Sequence, residues 1–225
     1  MISQTDGQLF DETEYEHRRE QRLKSELVNE IQRKRLERAQ RLIEQSGLKS
    51  TIEKYTFTNF LETEEWQSNV KAIALDFAKN TDGGWLIAHG QTGSGKTHLC
   101  TAVAGELLRN QIPVMYMLWR QDSLTLKPSG FIDSKELQRR MQPYKTVSCL
   151  YIDDLFKGGA SEADVRLAFE LIDHRYRNEC ITIISTELLP NELIAIDEAV
   201  AGRIFEKSKK HRIVIGRDSA KNQRL

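Results

Sequence analysis

The run of residues 90–97 has the residue types and spacing of a loop that binds nucleotide phosphates. It reads Gly90, Gln91, Thr92, Gly93, Ser94, Gly95, Lys96 and Thr97, is followed by His98, and fits G-x-x-x-x-G-K-[ST]. The glycines let backbone N–H groups converge on an anion, and a helix beginning near Lys96 adds the positive end of its dipole. Lys96 would reach the β- and γ-phosphates, and the Thr97 hydroxyl would hold Mg²⁺. The pattern predicts a nucleotide site at residues 90–98, with a glycine-rich surface turn as the alternative.

Two acids, Asp153 and Asp154, follow an apolar stretch at residues 148–152 that predicts a buried strand. In a parallel sheet, acids at the carboxyl end of such a strand emerge beside the phosphate loop. Asp153 would hold Mg²⁺ through water, and Asp154 would orient or deprotonate the attacking water. The alternative is an ordinary turn at the end of a strand.

Glu187 is a third candidate because it follows a predicted strand at residues 181–185. The end of that strand would lie between the two motifs. An ionised carboxylate cannot donate a hydrogen bond to phosphate, but it could position the lytic water or pair with a base. The alternative is that Ser185, Thr186 and Glu187 form a helix-capping cluster.

Three arginines could add positive charge to the site. Arg203 could reach a neighbouring subunit's nucleotide as an arginine finger, or it could pair with Asp197 or Glu198. Arg217 and Arg224 are candidates for a phosphate contact within the same chain, or they are solvated charges of the tail.

Composition restricts the classes of function. The 225 residues include 33 Lys and Arg against 33 Asp and Glu, so no global field would recruit nucleic acid or a membrane. No apolar run reaches the roughly 20 residues that span a bilayer, and no apolar signal segment opens the chain. The isolated Cys100, Cys149 and Cys180 suit neither a zinc site nor a disulfide framework. We expect an α/β domain with an appendage, in the cytoplasm and without a membrane partner.

Residues 1–50 predict a charged helical segment. Leu23, Leu27 and Ile31 lie four residues apart and form a narrow apolar stripe on an otherwise charged helix. Such a helix has little core of its own. It could dock on another protein, pack back on its own domain, or remain solvated.

Residues 51–225 alternate between helical and strand patterns. Helices are predicted near residues 64–79, 96–108, 134–141 and 162–177, and strands near 85–88, 113–118, 148–152, 181–185 and 213–215. A polar stretch without a regular pattern is expected from Trp119 to about Phe131. The alternation predicts an α/β fold with a mainly parallel sheet and helices on both faces.

These motifs together resemble the DnaC/DnaI family of replicative helicase loaders, AAA+ ATPases related to the initiator DnaA and to the transposition ATPase IstB. The resemblance is carried by residues 90–97, 150–157, 184–188 and 196–204, with a similar lead-in at 46–48 and 55–60. It covers roughly residues 46–225 and implies a P-loop AAA+ ATPase domain that uses ATP.

The resemblance also implies roles for single residues. Lys96 and Thr97 match the Walker A pair, and Asp153 and Asp154 match Walker B. Arg203 matches the arginine finger, and Arg224 is assigned to the sensor-2 arginine. Glu187 stands where many AAA+ proteins carry a sensor-1 Asn. About ten residues follow the last strand, so the helical lid is expected to be minimal or absent.

The family's partners are a hexameric replicative helicase and single-stranded DNA. Residues 1–50 contain no Cys, which excludes a zinc-binding N-terminal domain and leaves the charged helix as the candidate for gripping the helicase. An aromatic ring beside an arginine suits a base stack with a phosphate contact, whereas the alternative is a polar surface with a core-packed Trp. The DNA-binding candidates are Trp119, Arg120, Lys127, Arg139 and Arg140.

Three functions fit the sequence. The first is a loader in which ATP joins neighbouring subunits through Arg203, the assembly holds the helicase around single-stranded DNA, and slow hydrolysis releases it. The second is an IstB-like ATPase that coats duplex DNA and recruits a transposase. The third is an adaptor whose nucleotide is only structural, an option that Glu187 keeps open.

Overall fold

The predicted α/β fold is confirmed in a computed structural model, which describes residues 12–127 and 134–222. Within these ranges, five strands form one parallel sheet in the order β2-β3-β4-β1-β5. The strands are β1 Trp85–Gly90, β2 Val114–Leu118, β3 Cys149–Asp153, β4 Ile181–Thr186 and β5 Arg212–Ile215. The helices are α1 Glu12–Gln45, α2 Glu65–Lys79, α3 Lys96–Arg109, α4 Trp119–Leu126, α5 Ser134–Thr146, α6 Glu162–Arg177, α7 Pro190–Ile196 and α8 Glu198–Lys207. After β5, the described residues up to 222 form only a 3₁₀ turn, Ser219–Lys221.

Both faces of the sheet are covered, as expected for parallel strands. Along β1, Leu86 and Ala88 join an apolar cluster with α2 and α3, whereas Trp85 and Ile87 join a second cluster with α6 and α8. Successive side chains of a strand point to opposite faces, so one apolar run supplies both cores. The prediction of helices on both faces is confirmed.

The strand order brings three chain segments together at one edge of the sheet. Strand β4 pairs in parallel with both β1 and β3, and Ile183 lies opposite Leu86 on one side and Tyr151 on the other. The carboxyl ends of the three strands are therefore neighbours. Ligands of open α/β sheets bind at such an edge, which here joins residues 90, 153 and 186.

The opposite ends of β3 and β4 are tied together by Arg175. This side chain is fully buried on α6. Its guanidinium donates hydrogen bonds to the carbonyl oxygens of Tyr144, Lys145, Val147, Ser148 and Ile181 and to the Thr182 hydroxyl. Because the planar group offers several fixed donors, one residue holds the end of α5 against the starts of two strands.

The chain divides into two units, residues 1–38 and residues 39–225. In the first, Leu23, Leu27 and Ile31 of α1 are 55%, 58% and 48% exposed. Ion pairs four residues apart, such as Glu20–Lys24 and Glu30–Lys34, lie along the same helix. The predicted apolar stripe on a charged helix is therefore present and exposed to solvent.

The second unit begins at Ala39, whereas the sequence placed the start of the globular part at residue 51. Ala39 and Leu48 are buried, and Leu42 and Ile43 pack against the cluster around α2 and α3. The last turns of α1 therefore belong to the core. The backbone N–H of Tyr116 in β2 donates to the Ser46 carbonyl oxygen at 2.8 Å, which attaches this segment to the edge of the sheet.

The polar stretch expected from Trp119 is wrong in its first part. Residues 119–126 form helix α4, because Trp119, Ser123 and Leu126 lie on one buried face at helical spacing. Residues 128–133 lie outside the described part of the chain. Among the described helices, none is long and apolar enough to cross a bilayer.

Candidate active site

The phosphate loop joins β1 to α3. Gly93 and Gly95 have φ angles of +80° and +86°, in the left-handed region that disfavours side chains, and Gly95 caps the start of α3. A cavity of about 200 Å³ lies against the loop, lined by Tyr55 and residues 93–98. A cradle of this kind fits an anion bound by backbone N–H groups at a helix N-terminus.

Lys96 points back into the loop. Its side chain is buried, and Nζ donates a hydrogen bond to the Gln91 carbonyl oxygen at 2.8 Å. Burial lowers the pKa of Lys96, and the nearby carboxylates of Glu187 and Asp154 oppose that shift. The ammonium group thus lies where phosphate oxygens could replace the carbonyl as its acceptor.

Thr97 and Asp153 meet as the sequence predicted. The Thr97 hydroxyl donates to Asp153 Oδ1 at 3.3 Å, which connects the first turn of α3 to the end of β3. A hydroxyl oxygen beside a carboxylate is a ligand set that suits Mg²⁺ in nucleotide sites. The residues present therefore fit the metal that the loop implies.

Further hydroxyl groups surround Asp153, and the sequence analysis missed their part in the site. Tyr116 donates to Oδ2 at 3.0 Å, Tyr151 donates to Oδ1 at 3.0 Å, and Ser185 also donates to Oδ1. Burial and the Asp153 charge raise the pKa of both tyrosines, so both stay protonated donors. One signal was available for Tyr151, since residues two apart in a strand share a face, but Tyr116 depends on the strand register.

Asp154 and Glu187 share a lysine that the sequence analysis did not single out. Lys157 Nζ lies 2.9 Å from Asp154 Oδ2 and 3.0 Å from Glu187 Oε1. Glu187 also accepts a hydrogen bond from the Thr92 hydroxyl of the phosphate loop. The ends of β3 and β4 and the loop are thereby linked through charged side chains.

These contacts determine the protonation states of Glu187 and Lys157. Partial burial disfavours the charged form of each residue, but hydrogen bonds outweigh that effect. The hydrogen bonds from Thr92 and Lys157 lower the pKa of Glu187. The hydrogen bonds to Asp154 and Glu187 raise the pKa of Lys157. At neutral pH, Glu187 is therefore an anion and Lys157 a cation.

The C-terminal segment lies against the loop through Gln91. The Gln91 amide donates to the Asp218 carbonyl oxygen, and its Oε1 accepts from the Asp218 N–H at 2.9 Å. A Cβ on Gly93 would come within 1.9 Å of Asn222 Oδ1, so a side chain there would displace the Asn222 side chain and would also strain the backbone, whose φ is +80°. Residues 218–222 therefore form one wall beside the phosphate loop.

Two of the three arginine candidates have carboxylate partners, and the third lies outside the described residues. Arg217 makes a bidentate pair with Glu192, at 2.7 and 2.8 Å, and its contact with a phosphate stays a prediction. Arg203 Nε donates to Asp173 Oδ1 at 2.9 Å, and its guanidinium lies 4.9 Å from the centre of the Phe169 ring. The alternative partners Asp197 and Glu198 were therefore wrong for this side chain. Arg224 is the residue that is not described.

His98 lines the cavity, but its ring bonds to a different segment. Nε2 lies 2.8 Å from the Thr56 carbonyl oxygen and 3.0 Å from Asn59 Oδ1. The ring also contacts Tyr55 and Phe60, with centroids 5.1 and 5.2 Å away. His98 therefore fixes residues 55–60, and with them Tyr55, beside the loop.

The five DNA-binding candidates differ in burial and in their ion pairs. Trp119 is 2% exposed and packs edge-on against Phe156, so its assignment as a base-stacking residue is wrong. The cause is the helical face of α4, which directs the ring into the core.

Lys127 pairs with Asp164 at 2.7 Å, and Arg139 and Arg140 both pair with Glu136. Arg120 is exposed.

The parallel sheet, the loop between β1 and α3 and the acids at the end of β3 define a P-loop protein with the AAA+ fold. The chain belongs to the family of IstB-like ATP binding proteins, whose family model matches residues 3–223. The resemblance to DnaC/IstB-like AAA+ proteins is thereby confirmed, and so is nucleotide binding as the property of its family.

Several known proteins are similar to this chain. The phage-like element PBSX protein XkdC of Bacillus subtilis (strain 168) is 34% identical over 163 residues, which cover 68% of this chain and 56% of that protein. This chain therefore spans little more than half the length of that relative.

The crystal structure of the DnaC helicase loader matches with a TM-score of 0.56 and 20% identity, over 73% of this chain and 97% of that one. The replication initiator DnaA bound to AMPPCP and single-stranded DNA matches with a TM-score of 0.62 and 20% identity, over 73% and 50%. At these identities, the structural likeness establishes the fold.

Proposed function

We propose that this protein is an ATP-dependent loader of a replicative DNA helicase onto single-stranded DNA. ATP binding and hydrolysis would act as its assembly and release switch. The observation that carries the ATP site is the meeting of Thr97 with Asp153 at 3.3 Å beside the buried Lys96. The fold shared with the DnaC helicase loader supports the loading role.

The site residues have distinct roles in this proposal. Lys96 and the backbone N–H groups of the loop bind the phosphates, and Thr97 and Asp153 hold Mg²⁺. The metal, when bound, supplies charge neutralisation for the phosphate oxygens. Asp154 accepts a proton from the water that attacks the γ-phosphorus, while the bond from phosphorus to the bridging oxygen of ADP breaks.

Arg203 would complete the site of a neighbouring subunit. Its contacts within the described residues are with α6 and α8, at Asp173, Phe169, Tyr176 and Ala199. Its side chain is 26% exposed, so the residue is open to solvent in part. An arginine held in place by a carboxylate and an aromatic ring is prepared for a phosphate delivered by another chain.

The N-terminal segment, residues 1–50, is proposed to grip the hexameric helicase. Leu23, Leu27 and Ile31 present apolar surface on a helix whose other positions are largely charged. Apolar side chains at helical spacing suit the groove of a partner protein. Arg120, Arg139 and Arg140 remain candidates for phosphate contacts with single-stranded DNA.

The loading role is tested by measuring ATP turnover and co-elution with the host's replicative helicase, with and without single-stranded DNA. We expect helicase and DNA together to change turnover, and Asp154→Asn to bind ATP but fail to release the helicase. If turnover stays unchanged and no helicase co-elutes, the proposal fails. If Asp154→Asn still releases the helicase normally, the adaptor without hydrolysis is correct instead.

The grip of the N-terminal segment has a matched control on the same helix. Leu27→Asp with Ile31→Asp places two charges on the apolar stripe, and Ser25→Asp with Asn29→Asp places them on a polar face. We expect only the first pair to abolish helicase binding while ATP binding persists in both. Equal binding by the two double variants would contradict a role for the stripe.

A second candidate is an ATPase that assists a transposase on duplex DNA, and the family match to IstB-like proteins favours it. Competition between single-stranded and duplex DNA of equal length separates the two functions. Preference for duplex DNA, together with co-elution with a transposase encoded by a neighbouring gene, would support the second function and exclude the first.

A further inference from the structure

Lys157 places a second ammonium group at the phosphate loop. Its Nζ lies 2.9 Å from Asp154 Oδ2 and 3.0 Å from Glu187 Oε1, and Glu187 in turn bonds to Thr92 within the loop. The side chain is 33% exposed, whereas Lys96 is buried among loop atoms. Lys157 is therefore more exposed than Lys96, and of the two lysines it is the one that pairs with carboxylates.

Glu187 cannot donate a hydrogen bond to a phosphate, whereas the neighbouring Lys157 can. The end of β4 lies between the phosphate loop and the acids of β3, where a donor could contact the terminal phosphate. An ionised carboxylate offers acceptors alone and repels phosphate. A lysine at hydrogen-bond distance from that carboxylate supplies both the missing donor and a compensating charge.

The backbone around Lys157 is fixed, and its side chain is held by ion pairs with two carboxylates. Leu155 and Phe156 are buried, and the Lys157 N–H donates to the Asp154 carbonyl oxygen at 3.0 Å. Asp154 and Phe156 both have φ angles of +59°, an uncommon conformation for residues other than glycine. A flexible side chain on so constrained a turn can exchange acceptors without movement of the main chain.

We infer that Lys157 is a γ-phosphate-binding residue that distinguishes nucleoside triphosphate from diphosphate and, without the terminal phosphate, is held by Asp154 and Glu187. This inference rests on the proposed ATP site. Phosphate oxygens would take the lysine from the two carboxylates, and Asp154 would then be free to accept a proton from water. A diphosphate would leave Asp154 paired.

The test compares the affinities of AMPPCP and ADP, each with Mg²⁺, by calorimetry on the full chain. Lys157→Gln should weaken AMPPCP binding about tenfold while leaving ADP binding unchanged, since a charge-assisted hydrogen bond is lost only with the triphosphate. Lys157→Arg should keep most of the preference. The matched control is Lys207→Gln, which removes a lysine that pairs with Glu179 at 3.3 Å on other elements.

Equal loss for both nucleotides, or no loss in Lys157→Gln, would overturn the inference. Glu187→Gln provides a second test, should Lys157→Gln fail to fold. It frees the lysine from one carboxylate and removes one negative charge, so it should raise the preference for AMPPCP over ADP, and a lowered preference would overturn the inference. If the unmodified protein binds neither nucleotide, the proposed ATP site fails instead, which is a separate result.

Discussion

The Tyr116 hydroxyl donates a hydrogen bond to Asp153 Oδ2 over 3.0 Å, so β2 contributes to the candidate magnesium site through a side chain. The same residue donates its backbone N–H to the Ser46 carbonyl oxygen. Tyr116 thus contacts both the segment that follows α1 and the carboxylate that would hold the metal. The Tyr116 hydroxyl can therefore be removed without changing a residue that would bind the nucleotide itself.

Tyr116→Phe should raise the Mg²⁺ concentration that nucleotide binding requires. Loss of the hydroxyl leaves one oxygen of Asp153 without its orienting donor, and such losses around metal ligands cost about tenfold or more in metal affinity. The measurement is the Mg²⁺ concentration that half-saturates AMPPCP binding. Tyr144→Phe removes a hydroxyl elsewhere in the second apolar cluster and should leave that concentration unchanged. An unaltered Mg²⁺ requirement in Tyr116→Phe would show that the hydroxyl does not position Asp153.

Mixing two inactive variants tests whether Arg203 acts on a neighbouring subunit. Lys96→Ala and Arg203→Ala should each lower ATP turnover at least about a hundredfold, as for loss of an arginine finger. In an equal mixture, about a quarter of the interfaces would pair an intact phosphate loop with an intact Arg203, so turnover should partly return. Arg203→Ala mixed with the Lys96→Ala/Arg203→Ala double variant is the control and should stay inactive. Absence of rescue in the first mixture would exclude action in trans.

His89 should make the fold less stable in acid. The side chain is fully buried at the end of β1, Nδ1 lies 2.7 Å from the Leu188 carbonyl oxygen, and Nε2 has no hydrogen-bond partner among the described residues. Burial lowers the pKa of His89 from 6.5 to about 4, against the opposing effect of the Leu188 hydrogen bond. Between these values the unfolded chain binds the proton and the folded chain does not, so stability falls as the pH drops from about 6.5 to about 4.

The size of this effect is about 3 kcal/mol across that window, because one pKa unit corresponds to about 1.4 kcal/mol. His89→Asn can still donate to Leu188 but does not titrate. We expect urea unfolding at pH 7 and pH 4.5 to show a smaller loss of stability for this variant than for the unmodified protein. Carboxylates titrate in both proteins, so the comparison isolates His89, and identical losses would contradict the assignment.

Arg175→Lys should destabilise the fold strongly. A lysine has one nitrogen in place of three, so several of the carbonyl oxygens that Arg175 binds would be buried without a donor. Each costs about 1–3 kcal/mol, and we expect a loss of at least about 3 kcal/mol in the free energy of unfolding. Arg166→Lys on the same helix, where the side chain is 74% exposed, should change stability by less than about 0.5 kcal/mol. A loss below about 1 kcal/mol in Arg175→Lys would mean that water replaces the guanidinium.

Local patterns were enough to predict the phosphate loop, the acids of β3 and the helix that follows the loop. Each depends on neighbouring residues in the chain, such as the glycines before Lys96 or the apolar run before Asp153. Tyr116 and Lys157 were not predicted as parts of the site. Their contacts depend on which strands are adjacent and on a tight turn after β3, and neither is visible in a local pattern.

Trp119 illustrates the opposite error. A ring beside an arginine was consistent both with stacking on a base and with packing in a core, and the choice depended on whether residues 119–126 form a helix. The structure has that helix, with the ring on its buried face. A local pattern shows the face that a side chain occupies only after the element has been assigned correctly.

The pair of hydrogen bonds between Gln91 and Asp218 has a consequence for how this protein can vary. Both hydrogen bonds join Gln91 to main-chain atoms of residue 218, so they require no particular side chain there and are lost in part only with proline, which has no N–H. They do depend on the number of residues that separate the last strand from that position. Insertions or deletions between Ile215 and Asp218 should therefore be far more damaging than substitutions at residue 218 itself.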